Sequence, residues 1–259
     1  MAIPRLLTIP ISHYCEKVRW ALERAEIDYV EEAHLQMIHR FYAVKAGGGR
    51  KVPVLITDEG TFGESSRIIR WIDQRLPTER RLVPEGRREE IDGIEQRLDA
   101  GLGVQGRRWM YSVVMETDLP RRVGLGPLPS WERRVVPAVL PVLRLYLKTF
   151  MGAEPAQAGS ALAAVDQAFE WIEELIADGR PYLVGETFSS ADLTFAALSA
   201  AVLMPQRYGV ELPEPAELPP AVRAEVERLR ERPAGRFAAR LVAEERPWPP
   251  RPAEAAPLR

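Results

Sequence analysis

The sequence predicts an α/β domain followed by an all-α domain. Three observations carry this: strand and helix signals alternate as far as Leu76, strand signals stop after a charged stretch at residues 78–90, and the apolar patterns beyond it repeat with helical spacing. A chain of 259 residues has room for two ordinary domains. The α/β domain is assigned to residues 1–78, a linker to 79–88, a helical domain to 89–245 and a Pro-rich tail to 246–259, expected to pack as extended chain or stay mobile.

The first domain opens with an apolar run at 5–9, a helix at 13–25 and a short extended segment at 27–31, together a βαβ unit. In that helix Tyr14, Val18, Ala21, Leu22 and Ala25 share one apolar face, with Glu16, Glu23 and Arg24 expected in solvent and His13 facing water as well. A short helix at 37–45 and the turn Gly47-Gly48-Gly49 lead to a strand at 51–56. A turn at 58–60, a strand at 61–63 and a helix at 65–76, ended by Pro77, complete the domain. Helical patterns then follow at 91–116, 131–150, 161–177, 189–203, 219–232 and 235–244. Pro137 and Pro141 should bend or interrupt the helix they fall in, because each removes a backbone donor.

The formal net charge of −2 gives no electrostatic footprint for nucleic acid or an anionic membrane surface, and neither partner is expected. No apolar stretch is long enough to span a bilayer and the start, MAIPRLLTIP, lacks the long apolar run of a signal peptide, so a cytoplasmic location is expected. Cys15 is the one cysteine and cannot form an intramolecular disulfide; with His13, His34 and His39 it offers no paired ligand spacing, and no metal is expected.

Ser12 stands where the first strand ends and the helix begins. It has two readings: an ordinary N-cap, or a hydroxyl aimed at the space before the helix N-terminus, where unpaired N–H groups and the macrodipole favour an anion such as a thiolate. A hydrogen bond to the ionised sulfur contributes about 1.5–3 kcal/mol and the helix end up to ~2 kcal/mol. Together they lower a bound thiol's pKa by roughly two units. Cys15, one turn further in, reads as packing or as a nucleophile, with packing favoured. Val52-Pro53 at the head of a strand reads as a trans proline at a sheet edge or as a cis bond that turns the Val52 backbone toward an extended peptide. Glu64-Ser65-Ser66 reads as a capping serine with a solvated acid, or as a receptor for a carboxylate on Ser65 and an ammonium on Glu64.

The order of these motifs resembles that of a cytosolic glutathione transferase: Ser12-x-x-Cys15 heading the first helix, Lys51-Val-Pro-Val-Leu-Ile56, Glu64-Ser-Ser66, then Gly185-Glu-Thr-Phe-Ser-Ser-Ala-Asp192. The last is similar to that family's capping box, with Ser189 as N-cap, Asp192 reaching back and Phe188 packing on Leu193. The resemblance implies a thioredoxin-like domain, an all-α domain and glutathione in the cleft between them. It is closest to the serine-type enzymes, with Ser12 stabilising the glutathione thiolate and Cys15 in the resolving position. Val52 would pair with the cysteinyl backbone, Pro53 would be cis, Glu64 and Ser65 would hold the γ-glutamyl end and Lys51 the glycyl carboxylate; no contact is carried over to His39 or Arg40. A small hydrophobic electrophile or a hydroperoxide would be the second substrate, beside Trp109, Met110, Tyr111 and Met115, with residues 117–131 shaping the entrance, and the protein would be a homodimer. Two alternatives stay open: a Cys15-dependent thiol transferase or deglutathionylase, and a transferase-like binding module without catalysis.

Overall fold

The computed structural model describes residues 2–248, so the tail expected over 246–259 lies outside the described residues beyond Trp248. A central strand, β1 (Arg5–Thr8), pairs in parallel with β2 (Val30–Ala33) and antiparallel with β3 (Val54–Thr57). β3 in turn pairs antiparallel with β4 (Gly60–Gly63), giving the order β2-β1-β3-β4. The two-residue period decides which face each side chain serves. Leu6 and its register partner Leu55 pack under α1 (His13–Arg24) and α3 (Ser65–Asp73), while Leu7 and its partner Val54 pack against Ala43 of α2 (His39–Lys45). β2 starts later than the sequence suggests because Tyr29 turns inward and donates to Glu23 Oε1 at 3.0 Å. β3 starts after Pro53, which has no N–H for the ladder.

The helical domain contains α4 (Arg88–Leu98), α5 (Val104–Val114), α6 (Ser130–Met151), α7 (Ala158–Leu175), α8 (Ser190–Leu203), α9 (Pro220–Glu231) and α10 (Pro233–Glu245). α4 and α5 were expected as one helix; a π turn, Asp99–Gly103, lies between them. The widened turn leaves the Asp99 carbonyl to accept the Tyr14 hydroxyl at 2.7 Å, and a Cβ on Gly103 would collide with that hydroxyl. Of the bend or interruption expected at Pro137 and Pro141, the interruption does not occur: α6 runs through both prolines as one element. Both prolines are exposed and four residues apart on one face, and the carbonyls they leave without donors, four residues earlier at Arg133 and Pro137, belong to exposed residues as well.

α8 is buried along nearly its whole length and carries the capping box the sequence predicts: Asp192 accepts the Ser189 N–H at 2.9 Å and the Leu183 N–H at 2.7 Å, and burial raises its carboxyl to about 6. α1 lies between the sheet and α8. This overturns the expectation that Glu16 and Glu23 face solvent. Both are buried, because Arg246, just past α10, folds onto that face and donates from Nε to Glu16 Oε1 at 2.9 Å and from Nη1 to Glu23. Arg19, equally buried, grips Glu31 with Nε and Nη2 and reaches Glu16 with Nη1 at 3.3 Å.

Candidate functional site

A cleft of about 950 Å³ separates the two domains, and Ser12 opens into it at the N-terminus of α1. The Ser12 backbone is extended, and its Oγ accepts the Cys15 N–H at 3.4 Å, a long contact that leaves the hydroxyl hydrogen to donate elsewhere. Cys15 is fully buried, and burial pushes its thiol up to about 11, so it is a neutral packing group. His13, expected in water, is buried at the cleft floor, because the helical domain covers the first turn of α1. Burial and the nearby Arg107 guanidinium lower its pKa to about 3, so the imidazole is neutral.

The first domain's wall of the cleft also gathers Lys51, Val52, Pro53, Glu64 and Ser65, and the β1–β3 register, with Leu7 opposite Val54, sets Pro53 beside the end of β1 that leads to Ser12. The Val52-Pro53 bond is cis, and the Val52 N–H and C=O have no hydrogen-bond partner among the described residues. Glu64 caps α3 with φ 65° and ψ 124°, a conformation that L residues rarely hold, and such strain collects at ligand clamps. Ser65 follows as the first residue of α3, where free N–H groups favour an anion. Lys51 and Arg50 are exposed at one end of this wall and pair with no acid among the described residues. At the other end Asp99 lies by Ser66 Oγ at 3.4 Å and holds the buried Lys17 ammonium at 2.9 Å.

α6 is fastened across the cleft mouth by a buried ion pair. Glu132 accepts the Leu35 N–H at 2.6 Å and faces His34 Nδ1 at 2.6 Å, while His34 Nε2 lies 3.2 Å from Glu32 and the ring stacks on Tyr42 at 3.6 Å. Burial pulls the His34 pKa down, but the two carboxylates outweigh it and the value is raised. Arg40 donates to the Tyr146 hydroxyl and lies 4.9 Å from that ring's centroid. Leu35, Gln36, His39 and Arg40 thereby become cleft wall; burial and the adjacent Arg40 lower the pKa of His39 to about 4.

Glu132→Gln is expected to destabilise the fold by about 1–3 kcal/mol at acid to neutral pH. His34 has a raised folded pKa, so its contribution is fully present below its unfolded value of about 6.5 and is lost as pH rises through the folded value. Urea midpoints of the two proteins should therefore converge at alkaline pH; a pH-independent gap would contradict this account.

The deep wall is apolar. Met110, Tyr111 and Met115 line it as expected, whereas Trp109 turns away into the helical core. Residues 119–128 complete it: Leu119, Val123 and Leu128 face the cleft, and Gly124, at φ 71°, passes so close to Ile11 that a Cβ would collide with it. The sequence reading missed Arg107, Asp99 and Tyr208. Tyr208 donates to the Ile11 carbonyl at 3.0 Å, next to Ser12.

Two family models match the chain: the glutathione S-transferase N-terminal domain over residues 6–80 and the glutathione S-transferase C-terminal domain over residues 129–224. No curated protein sequence matches it significantly. Among solved structures, a glutathione transferase from Phanerochaete chrysosporium aligns with a TM-score of 0.64 at 16% identity, covering 95% of this chain and 98% of its own. The apo form of human glutathione S-transferase T1-1 aligns at 0.60 and 16% identity, covering 93% and 84%. A glutathione S-transferase from Methylobacillus flagellatus, crystallised with GSH bound, aligns at 0.53 and 19% identity, covering 91% and 98%. At these identities the structures speak to the fold alone, a small mixed sheet with its helices followed by a helical domain. With both halves of the family's architecture matched in one chain, the protein belongs to the glutathione S-transferase family.

Proposed function

We propose that the cleft binds glutathione, lowers its thiol pKa, and delivers the thiolate to a small apolar electrophile or a hydroperoxide. One observation carries the reading: the Ser12 hydroxyl and the N-terminus of α1 open into a cleft with polar peptide-binding groups on one wall and apolar side chains on another. Lys51 supplies a cation for the glycyl carboxylate, the unpartnered Val52 backbone pairs with the cysteinyl residue, and Ser65 with Glu64 takes the γ-glutamyl carboxylate and ammonium. In conjugation the sulfur forms a bond to the electrophilic carbon and the leaving group departs with its electron pair. The Methylobacillus flagellatus relative's bound GSH supports the choice of thiol. By the same family likeness the protein works as a cytoplasmic homodimer.

Calorimetric titration with glutathione, followed by an ultraviolet difference spectrum for thiolate, tests both halves of the proposal. Heat of binding with a thiolate band at neutral pH is the expected result; binding with a protonated sulfur would remove the activation step, and no binding would remove the ligand. The Cys15 alternative is disfavoured by the buried, protonated thiol. Cys15→Ala is expected to keep turnover within about twofold of the parent, and abolished turnover would restore that alternative.

A further inference from the structure

Building on the proposed function, we propose that the electrophile carries a carboxylate or sulfonate on an otherwise apolar body, and that Arg107 receives this group. Arg107, on α5 and half-buried, lines the cleft near Tyr14 and one turn before Tyr111, and the helical domain's share of that lining is otherwise largely apolar, Met110, Val114 and Met204 among it. α5 holds no Asp or Glu, and Arg107 has no carboxylate within ion-pair distance among the described residues. The other cations in the cleft lining, Arg40, Arg50 and Lys51, also have no ion pair among the described residues, but they belong to the first domain, and Arg107 is the unpaired cation that the helical domain contributes to the lining. Asp99, the acid two turns back on the same helical path, is held by Lys17 and faces Ser66. The guanidinium lies over the Tyr14 ring, at 5.9 Å to its centroid. The charge acts on this region, since it helps depress His13 and works against the burial that raises Tyr14 and Tyr111.

An uncompensated cation against apolar walls attracts an anion more strongly than it would in water, because the effective dielectric is lower. The guanidinium fork matches two oxygens of a carboxylate or sulfonate, and the apolar wall receives the remaining body. Glutathione does not need this group: under the proposed function its two carboxylates are met by Lys51 and by Ser65 on the other wall. Arg107 and Tyr111 lie one turn apart on α5, on the face turned to the start of α1, which brings an anchored electrophile to the same end of the cleft as Ser12.

The test uses chloronitrobenzoate and its methyl ester as matched electrophiles, with the parent protein, Arg107→Gln and Arg107→Lys. In Arg107→Gln, kcat/KM for the acid should fall about tenfold or more while the ester stays within about twofold. Arg107→Lys, which keeps the charge, should recover most of the loss. An equal fall for acid and ester overturns the assignment and puts Arg107 on the sulfur; an unchanged acid rate overturns it outright. Titrating the acid onto protein without glutathione reads the subsite by itself. Arg107-dependent binding there with no glutathione binding would keep the anion subsite and remove the proposed function. Glutathione binding without Arg107-dependent acid binding would do the reverse.

Discussion

Ser12→Ala is expected to lower kcat/KM about ten- to a hundredfold, with glutathione affinity nearly unchanged. The magnitude follows from one hydrogen bond to an ionised sulfur, about 1.5–3 kcal/mol, with each 1.4 kcal/mol worth a factor of ten. Affinity should hold because the groups proposed to take the ends of the tripeptide, Lys51, Glu64 and Ser65, make no hydrogen bond with Ser12 and lose nothing. The bound thiol's pKa should rise by about one to two units, moving the pH–rate profile to the alkaline side. The hydroxyl also caps α1 through a 3.4 Å contact with the Cys15 N–H, so the variant should lose about 1 kcal/mol of stability, read by urea denaturation. Lost stability with an unmoved pH–rate profile would reduce Ser12 to a cap.

Arg246→Ala is expected to destabilise the fold by about 3–5 kcal/mol, a large share of the 5–15 kcal/mol typical of a whole domain. The guanidinium is buried between Glu16 and Glu23, and although burial works against its charge, the two carboxylates raise its pKa. Glu16 would keep Arg19 at 3.3 Å and the Gly209 N–H at 3.0 Å, but Glu23 would keep only the Tyr29 hydroxyl. Burial already raises the Glu23 pKa against the pull of Arg246, and removing the cation raises it further. Protonation relieves the buried charge, so the stability gap should be widest at neutral pH and shrink in acid as Glu23 takes up its proton. A chain cut after Glu245 should behave the same way in thermal and urea melts. A loss below about 1 kcal/mol would mean the network is no better than a surface pair.

The sheet and the succession of helices were legible because their signals are local: alternation places Leu6 and Leu55 on one face and Leu7 and Val54 on the other, and helical spacing marks α4 to α10. The grouping of Ser12, Lys51, Val52, Glu64 and Ser65 in one cleft was legible only through the order of motifs, since each alone reads equally well as a cap or a turn. What was hidden depends on a second surface. The periodicity of α1 shows the face that meets the sheet; it does not show that α8, α5 and Arg246 cover the remainder, which is why His13, Glu16 and Glu23 were placed in water. Arg107 was hidden for a related reason. An arginine pair, Arg107-Arg108, in an otherwise largely apolar helix looks like snorkelling surface residues until the neighbouring elements show that no acid answers Arg107.

The Tyr14 hydroxyl, the Asp99 carbonyl and the bare α-carbon of Gly103 behave as one joint between the domains. Any side chain at 103 would evict the hydroxyl, and without the hydroxyl the carbonyl would stand unmatched in a half-dry seam. The carbonyl belongs to whatever residue stands at 99, so the coupling is between positions 14 and 103, and a chimaera that swaps one domain while keeping the other must take Tyr14 and Gly103 from a single parent.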